Sequence, residues 1–203
     1  MNQLDISNAV FNTADESLGG IMEKPILFST QMVKAILSGR KTQTRRIVRK
    51  RDGYHRSELL WVRETWLQVP TSGEFCYKAD GVFLDGALWR PSIYMPRRAS
   101  RITLRVTDFR IERLQEITED DAKAEGIIGF SDNLGSRHSN PTTIYPAFPD
   151  RPGGFPTARA AFEALWNSIN AKRGFSWDIN PYVSVITFEI ERVTGSLHKH
   201  IEA

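Results

Sequence analysis

The octet Gly39-Arg40-Lys41-Thr42-Gln43-Thr44-Arg45-Arg46 holds one glycine, two threonines and four cations. Just upstream, Met32, Val33, Ile36 and Leu37 recur at helical spacing, with Thr30 in a position to cap the first turn. Gly39 supplies the stop, because a left-handed residue that closes a helix is least costly as glycine. Downstream, residues 42–48 mix β-branched and charged side chains and predict a strand with one solvated face. The octet is therefore a joint between a helix and a strand. Residues three apart on an extended strand face opposite sides, so Lys41 and Thr44 share a pocket only if residues 39–41 turn before the strand begins.

Working outward from that joint, residues 25–29, 59–66 and 74–80 read as short strands. Residues 101–114 alternate Ile102, Leu104 and Val106 with Thr103, Arg105 and Thr107, and the pattern slips near Asp108 as a β-bulge would make it. Thr118 followed by three acids predicts a short helix that ends at Gly126. A second apolar stripe, Ala161, Phe162, Leu165, Trp166 and Ile169, predicts a helix over 157–170, and residues 182–193 return to alternation. Short strands with three helices and no βαβ repetition describe an α+β fold, a small barrel or curled sheet.

The chain of 203 residues is long enough for one packed domain with extensions. Residues 1–22 read as a mobile arm, 23–194 as the single domain, 129–155 as an insertion rich in glycine, proline, serine and asparagine, and 195–203 as a tail. The net charge is only +3, so distribution matters more than the sum. Seven cations stand between Gly39 and Asp52, and Arg90, Arg97, Arg98, Arg101 and Arg105 form a second group. Cys76 is the lone cysteine, which excludes a disulfide framework and a cysteine-based zinc site. The four scattered histidines give no metal-ligand spacing, so the expectation is neither metal nor cofactor. No apolar run approaches the ~18 residues of a membrane span, and the N-terminus lacks a signal pattern, so the expectation is a cytoplasmic protein without membrane contact.

The order of helix, GRKTQTR, strand, LWVRETW and later LQEITEDDAKAEGI resembles the ASCH-domain family, over residues 25–128 and again in the terminal strand. The resemblance implies a PUA-like fold, a small mixed β-barrel flanked by about three helices, and an association with RNA binding and nucleoside chemistry. Within that family, GRKTQTRR looks like the GRKTITIR motif of the small bacterial acetylcytidine amidohydrolases, which remove an acyl group from the exocyclic amine of cytidine. The match places the family's catalytic Lys on Lys41, its catalytic Thr on Thr44 and its catalytic Glu on Glu125. The chain is about twice the length of those enzymes. Its RETW, WRPSIYMPRRAS and SWDINPYV segments resemble the longer ASCH proteins encoded in phages and prophages.

Amide hydrolysis by an alcohol needs a nucleophile, a base for its proton and a donor for the departing amine. Thr44 suits the first role. Lys41 suits the second if burial or the neighbouring Arg40 and Arg45 lower its pKa. Glu125 would then orient Lys41 and pass protons to the leaving amine, with backbone amides of the turn as oxyanion donors. Arg40, Arg45, Arg46 and Arg98 are candidates for substrate or phosphate contact, and Trp66 for stacking on a base. Two alternatives stay open: a non-catalytic RNA-binding module, and a metal-independent ribonuclease using Lys41 as acid or base. Oligomeric state leaves no mark in the sequence.

Overall fold

The structure, a computed structural model, describes residues 23–48, 53–81, 86, 88–132, 142–146 and 154–194. The expected arm at 1–22 and tail at 195–203 lie outside the described residues, as do Arg49, Lys50 and Arg51 of the first basic group. In chain order the elements are β1 (Glu23–Leu27), α1 (Thr30–Leu37), β2 (Gln43–Ile47), β3 (Leu59–Arg63), β4 (Trp66–Gln68), β5 (Phe75–Tyr77), β6 (Ile102–Arg113), α2 (Glu119–Ala124), β7 (Phe130–Asp132), β8 (Thr142–Ile144), α3 (Ala158–Asn170) and β9 (Tyr182–Val193).

Five strands form the main sheet in the order β1-β3-β6-β9-β2. The β1–β3 pair is parallel and the other pairs are antiparallel, so the sheet is mixed. Its centre is the long β6–β9 pair, whose register shifts between Val106 and Asp108, where the sequence pattern slips. Among the described residues the fold is α+β with three α-helices, as expected. The sheet does not close by strand pairing: β1 and β2 remain its edges. A side chain spans the gap instead, since Arg46 on β2 donates from Nη2 to the Leu27 carbonyl on β1 at 2.6 Å and lies over the Phe28 ring.

Alternation on β9 divides the interior in two. Ile186 and Phe188 join Phe28, Val33, Ile36, Leu60 and Leu104 in a core under α1. Val183 and Val185 point the other way, to Ala122 of α2 and Ala161, Phe162 and Trp166 of α3. Within the proposed insertion, β7 and β8 pair as a two-stranded sheet, and a Tyr145–Phe155 bridge packs against this second core.

Several boundaries differ from expectation for identifiable reasons. Ser29, not Thr30, caps α1, its hydroxyl accepting from the Met32 amide. The first strand starts at Glu23 and ends at Leu27, because Phe28 already turns into the core. The strand expected over 59–66 breaks after Arg63, where the Glu64 carboxylate turns inward to Arg101, with Nε–Oε1 at 2.9 Å and Nη2–Oε2 at 3.2 Å. Arg101 also pairs with Asp80 at 2.7 Å. The strand expected at 42–48 has no solvated face at its start, since Gln43, Thr44 and Arg45 are all buried.

Candidate functional site

The turn that the octet requires is present. Gly39 has φ +72°, and the amides of Arg40 and Lys41 both donate to the Ala35 carbonyl, at 2.9 and 3.0 Å. That reversal sends the Lys41 side chain to the C-terminal end of α2. The Thr42 amide donates to the Ala124 carbonyl at 2.9 Å, which fixes the same seam through the backbone. Gly126 lets the elements approach: it has φ +98°, and a β-carbon there would lie 3.3 Å from the β-carbons of Ala35 and Lys41.

Lys41 is 2% exposed, and each hydrogen of its ammonium has an acceptor. Nζ donates to the Gln43 carbonyl at 2.8 Å, the Glu125 carbonyl at 2.8 Å and Glu125 Oε2 at 2.6 Å. Burial pushes the Lys41 pKa below the ordinary lysine range; Glu125 opposes this, and Arg46 and Arg45 add to the lowering. Lys41 and Glu125, 84 positions apart, are thus one buried ion pair.

Arg45 extends the pair into a network. Its Nη1 donates to Gln43 Oε1 at 2.6 Å and reaches Glu125 Oε1 at 3.4 Å. Nε and Nη2 share Glu112 Oε1, at 3.1 and 2.7 Å, and Nη2 lies 3.0 Å from Asp121. Arg110 closes the outer side on Glu112 and Asp121. Three cations, Lys41, Arg45 and Arg110, meet three carboxylates, Glu112, Asp121 and Glu125, so the cluster is neutral as a whole. Such balance makes burial of several charges tolerable.

The other expected site residues fall into different places. Thr44 is 3% exposed, in register with Ile186 on the face of β2 turned to the first core. Among the described residues its hydroxyl makes no hydrogen bond to Lys41 or Glu125. Arg45 was expected to touch substrate, but its side chain has no exposed surface and every edge of its guanidinium faces the network. Arg46 is half-buried and spans the sheet edges. Arg40 is exposed, its Nε donating to the Ser38 hydroxyl at 2.8 Å. Trp66 is buried against Met95 and Ala99, away from any stacking role on an open surface. Arg98 is exposed on a 3₁₀ turn.

Beside the buried pair lies an open depression of about 360 Å³. Arg40, next to Lys41 in the chain, and Lys123 supply its cations, and Ile127, Ile128 and Tyr145 supply most of the rest. A β-carbon at Gly129 would lie 2.5 Å from Thr143 Cγ2 and 2.8 Å from the Tyr145 ring, so any other residue there would have to displace those side chains. Sequence reasoning missed Gln43, Glu112 and Asp121 as partners of the motif, and missed Tyr145. Only the alternation of Arg110 with Glu112 along β6 hinted at the first group. Among the described residues, no cluster of three or more His, Cys, Asp or Glu could hold a metal ion, and no helix is long and apolar enough to cross a membrane.

No family model matches the chain, and no curated protein matches its sequence. Solved structures resemble it in shape, among them the following two. One is a protein from Enterococcus faecalis V583 described under the family model DUF984, with 12% identity, a TM-score of 0.47, and 91% of this chain and 90% of the other covered. The other is an ASCH domain from Lactobacillus crispatus JV V101, with 12% identity, a TM-score of 0.41, and 83% of this chain and 79% of the other covered.

Proposed function

We propose that this chain is an ASCH-type, PUA-like domain that binds a nucleoside, free or within RNA, in the depression beside the Lys41–Glu125 pair. The observation that carries the reading is the make-up of that recess: exposed cations on an apolar and aromatic lining. A base needs a flat apolar or aromatic surface, and a phosphate or a polar base edge needs donors. Arg40 and Lys123 offer donors, and Tyr145 offers a ring. The motif resemblance points to the same end of the molecule.

A second reading, removal of an acyl group from the exocyclic amine of cytidine, is favoured by one specific observation. Lys41 and Glu125 occupy the positions the resemblance gives to a catalytic pair, and they are in direct contact. In that reading Glu125 orients Lys41, and the lowered Lys41 pKa suits a group that takes a proton from the Thr44 hydroxyl. The Thr44 rotamer or the Lys41 contacts would have to change on binding, because no hydrogen bond joins them here.

Equilibrium dialysis with cytidine and with acetylcytidine, followed by chromatography of the acetylcytidine sample, separates the two readings. Retention that weakens in Arg40→Ala and Tyr145→Ala supports nucleoside binding, and absence of retention overturns it. Release of cytidine and acetate by the wild type, lost in Thr44→Ala with an unchanged melting curve, supports hydrolysis. Intact acetylcytidine after prolonged incubation removes it.

A further inference from the structure

Lys41, Glu125 and Thr44 are all closed to solvent, with exposures of 2%, 7% and 3%. The recess lined by Arg40 and Tyr145 stops short of them, since none of the three belongs to its lining. A ligand that meets Thr44 needs another way in. The main sheet is weakest where β1 and β2 face each other without backbone pairing.

Side chains fill that seam. Thr44 and Arg46 stand on the same face of β2, in register with Ile186 and Ser184 of β9. Phe28, directly after β1, covers that face: its ring centre is 6.0 Å from that of Phe188, 5.2 Å from the Arg46 guanidinium and 5.8 Å from Lys41 Nζ. The ring thus bridges β9 and β2 across the segment that carries Thr44. Arg46 holds this cover through one hydrogen bond among the described residues, to the Leu27 carbonyl at 2.6 Å, and no described carboxylate lies within ion-pair distance of it. Arg45, its neighbour in the chain, is by contrast held by Glu112, Asp121 and Glu125. On the covered face Ser184 has no exposed surface, and its hydroxyl has no hydrogen-bond partner among the described residues. An unmet hydroxyl is costly in a core that stays sealed, and it is satisfied where water or a ligand enters.

We propose that Phe28 and Arg46 form a door in the β1–β2 seam, through which a small molecule the size of a pyrimidine reaches Thr44 and Lys41. Outward rotation of the Phe28 side chain requires only that Arg46 release the Leu27 carbonyl. The Phe28 amide stays held by the Arg63 carbonyl at 3.1 Å, and the β1–β3 and β2–β9 pairs are untouched by the motion. A single hydrogen bond open to water contributes little net stability, so the released state is a minor member of the native ensemble. The door supplies the access that the hydrolysis reading lacks, and it rests on that reading for what is cleaved behind it. The opening itself is independent of any reaction.

The test is thiol access in the full chain carrying Thr44→Cys with Cys76→Ser, read with dithiodipyridine, a neutral reagent built on a ring of pyrimidine size. Ser184→Cys, on the same covered face, replaces the probe if Thr44→Cys does not fold. The thiol should react at a rate almost flat in low denaturant, which is the sign of a local opening. Adding Arg46→Met should raise that rate about tenfold, as loss of one charged hydrogen bond implies. Leu114→Ala is the control: it weakens the second core away from the seam, so it should lower the melting temperature and leave the rate unchanged. A thiol that does not react, a rate that climbs with denaturant as global unfolding does, or a rate that follows Leu114→Ala rather than Arg46→Met overturns the door. Cleavage of acetylcytidine by the wild type beside an unreactive thiol overturns it as well. A reactive thiol beside intact acetylcytidine removes the hydrolysis reading and leaves the door standing.

Discussion

At the scale of single residues, the answer to what the octet's charges do is mostly internal. Glu125 holds one carboxylate oxygen against Lys41 and the other toward Arg45, and is itself buried. Glu125→Leu would leave the Lys41 ammonium buried with only two carbonyls for company, and the expected loss of stability is about 3–5 kcal/mol. The double change Lys41→Met with Glu125→Leu removes both charges and leaves Arg45 with Glu112 and Asp121. It should be more stable than Glu125→Leu alone, as read by denaturant unfolding. If the double variant falls by the sum of the two singles, the pair is not acting as a pair. Any assay of Lys41 or Glu125 variants therefore needs a stability control beside it. Tyr77 gives a separate handle on pH. Burial is the main reason its hydroxyl is pushed up to about 12; Arg101, stacked 4.0 Å from the ring centre, pulls it down, and Glu64 and Asp80 push it up. In the unfolded chain the same hydroxyl ionises near pH 10. The folded state thus holds the extra proton between those values, and stability should fall as pH rises from about 10 to 12. Tyr77→Phe should flatten that fall, in melting curves taken across the alkaline range.

At the scale of elements, α2 is only six residues long and is held by its ends. Thr118 and Asp121 form a capping box at its start, while Glu119 reaches across to the next helix and accepts from the amides of Ala158 and Arg159, at 2.9 and 3.1 Å. One carboxylate thereby caps α3 together with Thr157. Glu119→Ala should cost about 1–3 kcal/mol, and amide exchange should quicken in the first turn of α3 before it does in β9. Unchanged exchange at Ala158 to Ala160 would mean that Thr157 alone suffices. The sequence marked the start of α2, the bulge in β6 and the apolar stripe of α3, because each follows from neighbours in the chain. It did not mark the break at Glu64. That break is caused by Arg101, 37 positions away, and a local strand pattern carries no sign of a distant guanidinium. The solvated face expected on β2 failed for the same reason: Gln43 and Arg45 look like surface residues until Glu112, Asp121 and Glu125 arrive from β6 and α2.

At the scale of the whole molecule, the question is what keeps an open five-stranded sheet curled around the first core. Its edge strands β1 and β2 do not pair with each other through the backbone. Phe28 at the end of β1 packs against Phe188 of β9, with ring centres 6.0 Å apart, and Arg46 covers the same ring while holding the Leu27 carbonyl. The helix-strand joint in the octet therefore serves both cores, Arg45 toward α2 and α3, and Arg46 toward β1. The sequence led to the expectation of a small barrel; the open edge and its guanidinium strap were not legible, since nothing local in TQTRR says which arginine turns which way until β9 sets the alternation. Arg46→Met keeps most of the apolar stem over Phe28 and removes the donor. The expected cost is modest, about 1–2 kcal/mol, as for a single charged hydrogen bond that is partly open to water. The informative readout is where the molecule loosens. Amides of Ile26 and Phe28 on one edge and of Thr44 on the other should exchange faster, while those of Val183 to Ile186 in the centre of the sheet keep their protection. Uniform loss of protection across all strands would show that the edges open only with the whole sheet, and that the strap adds stability without controlling the curl.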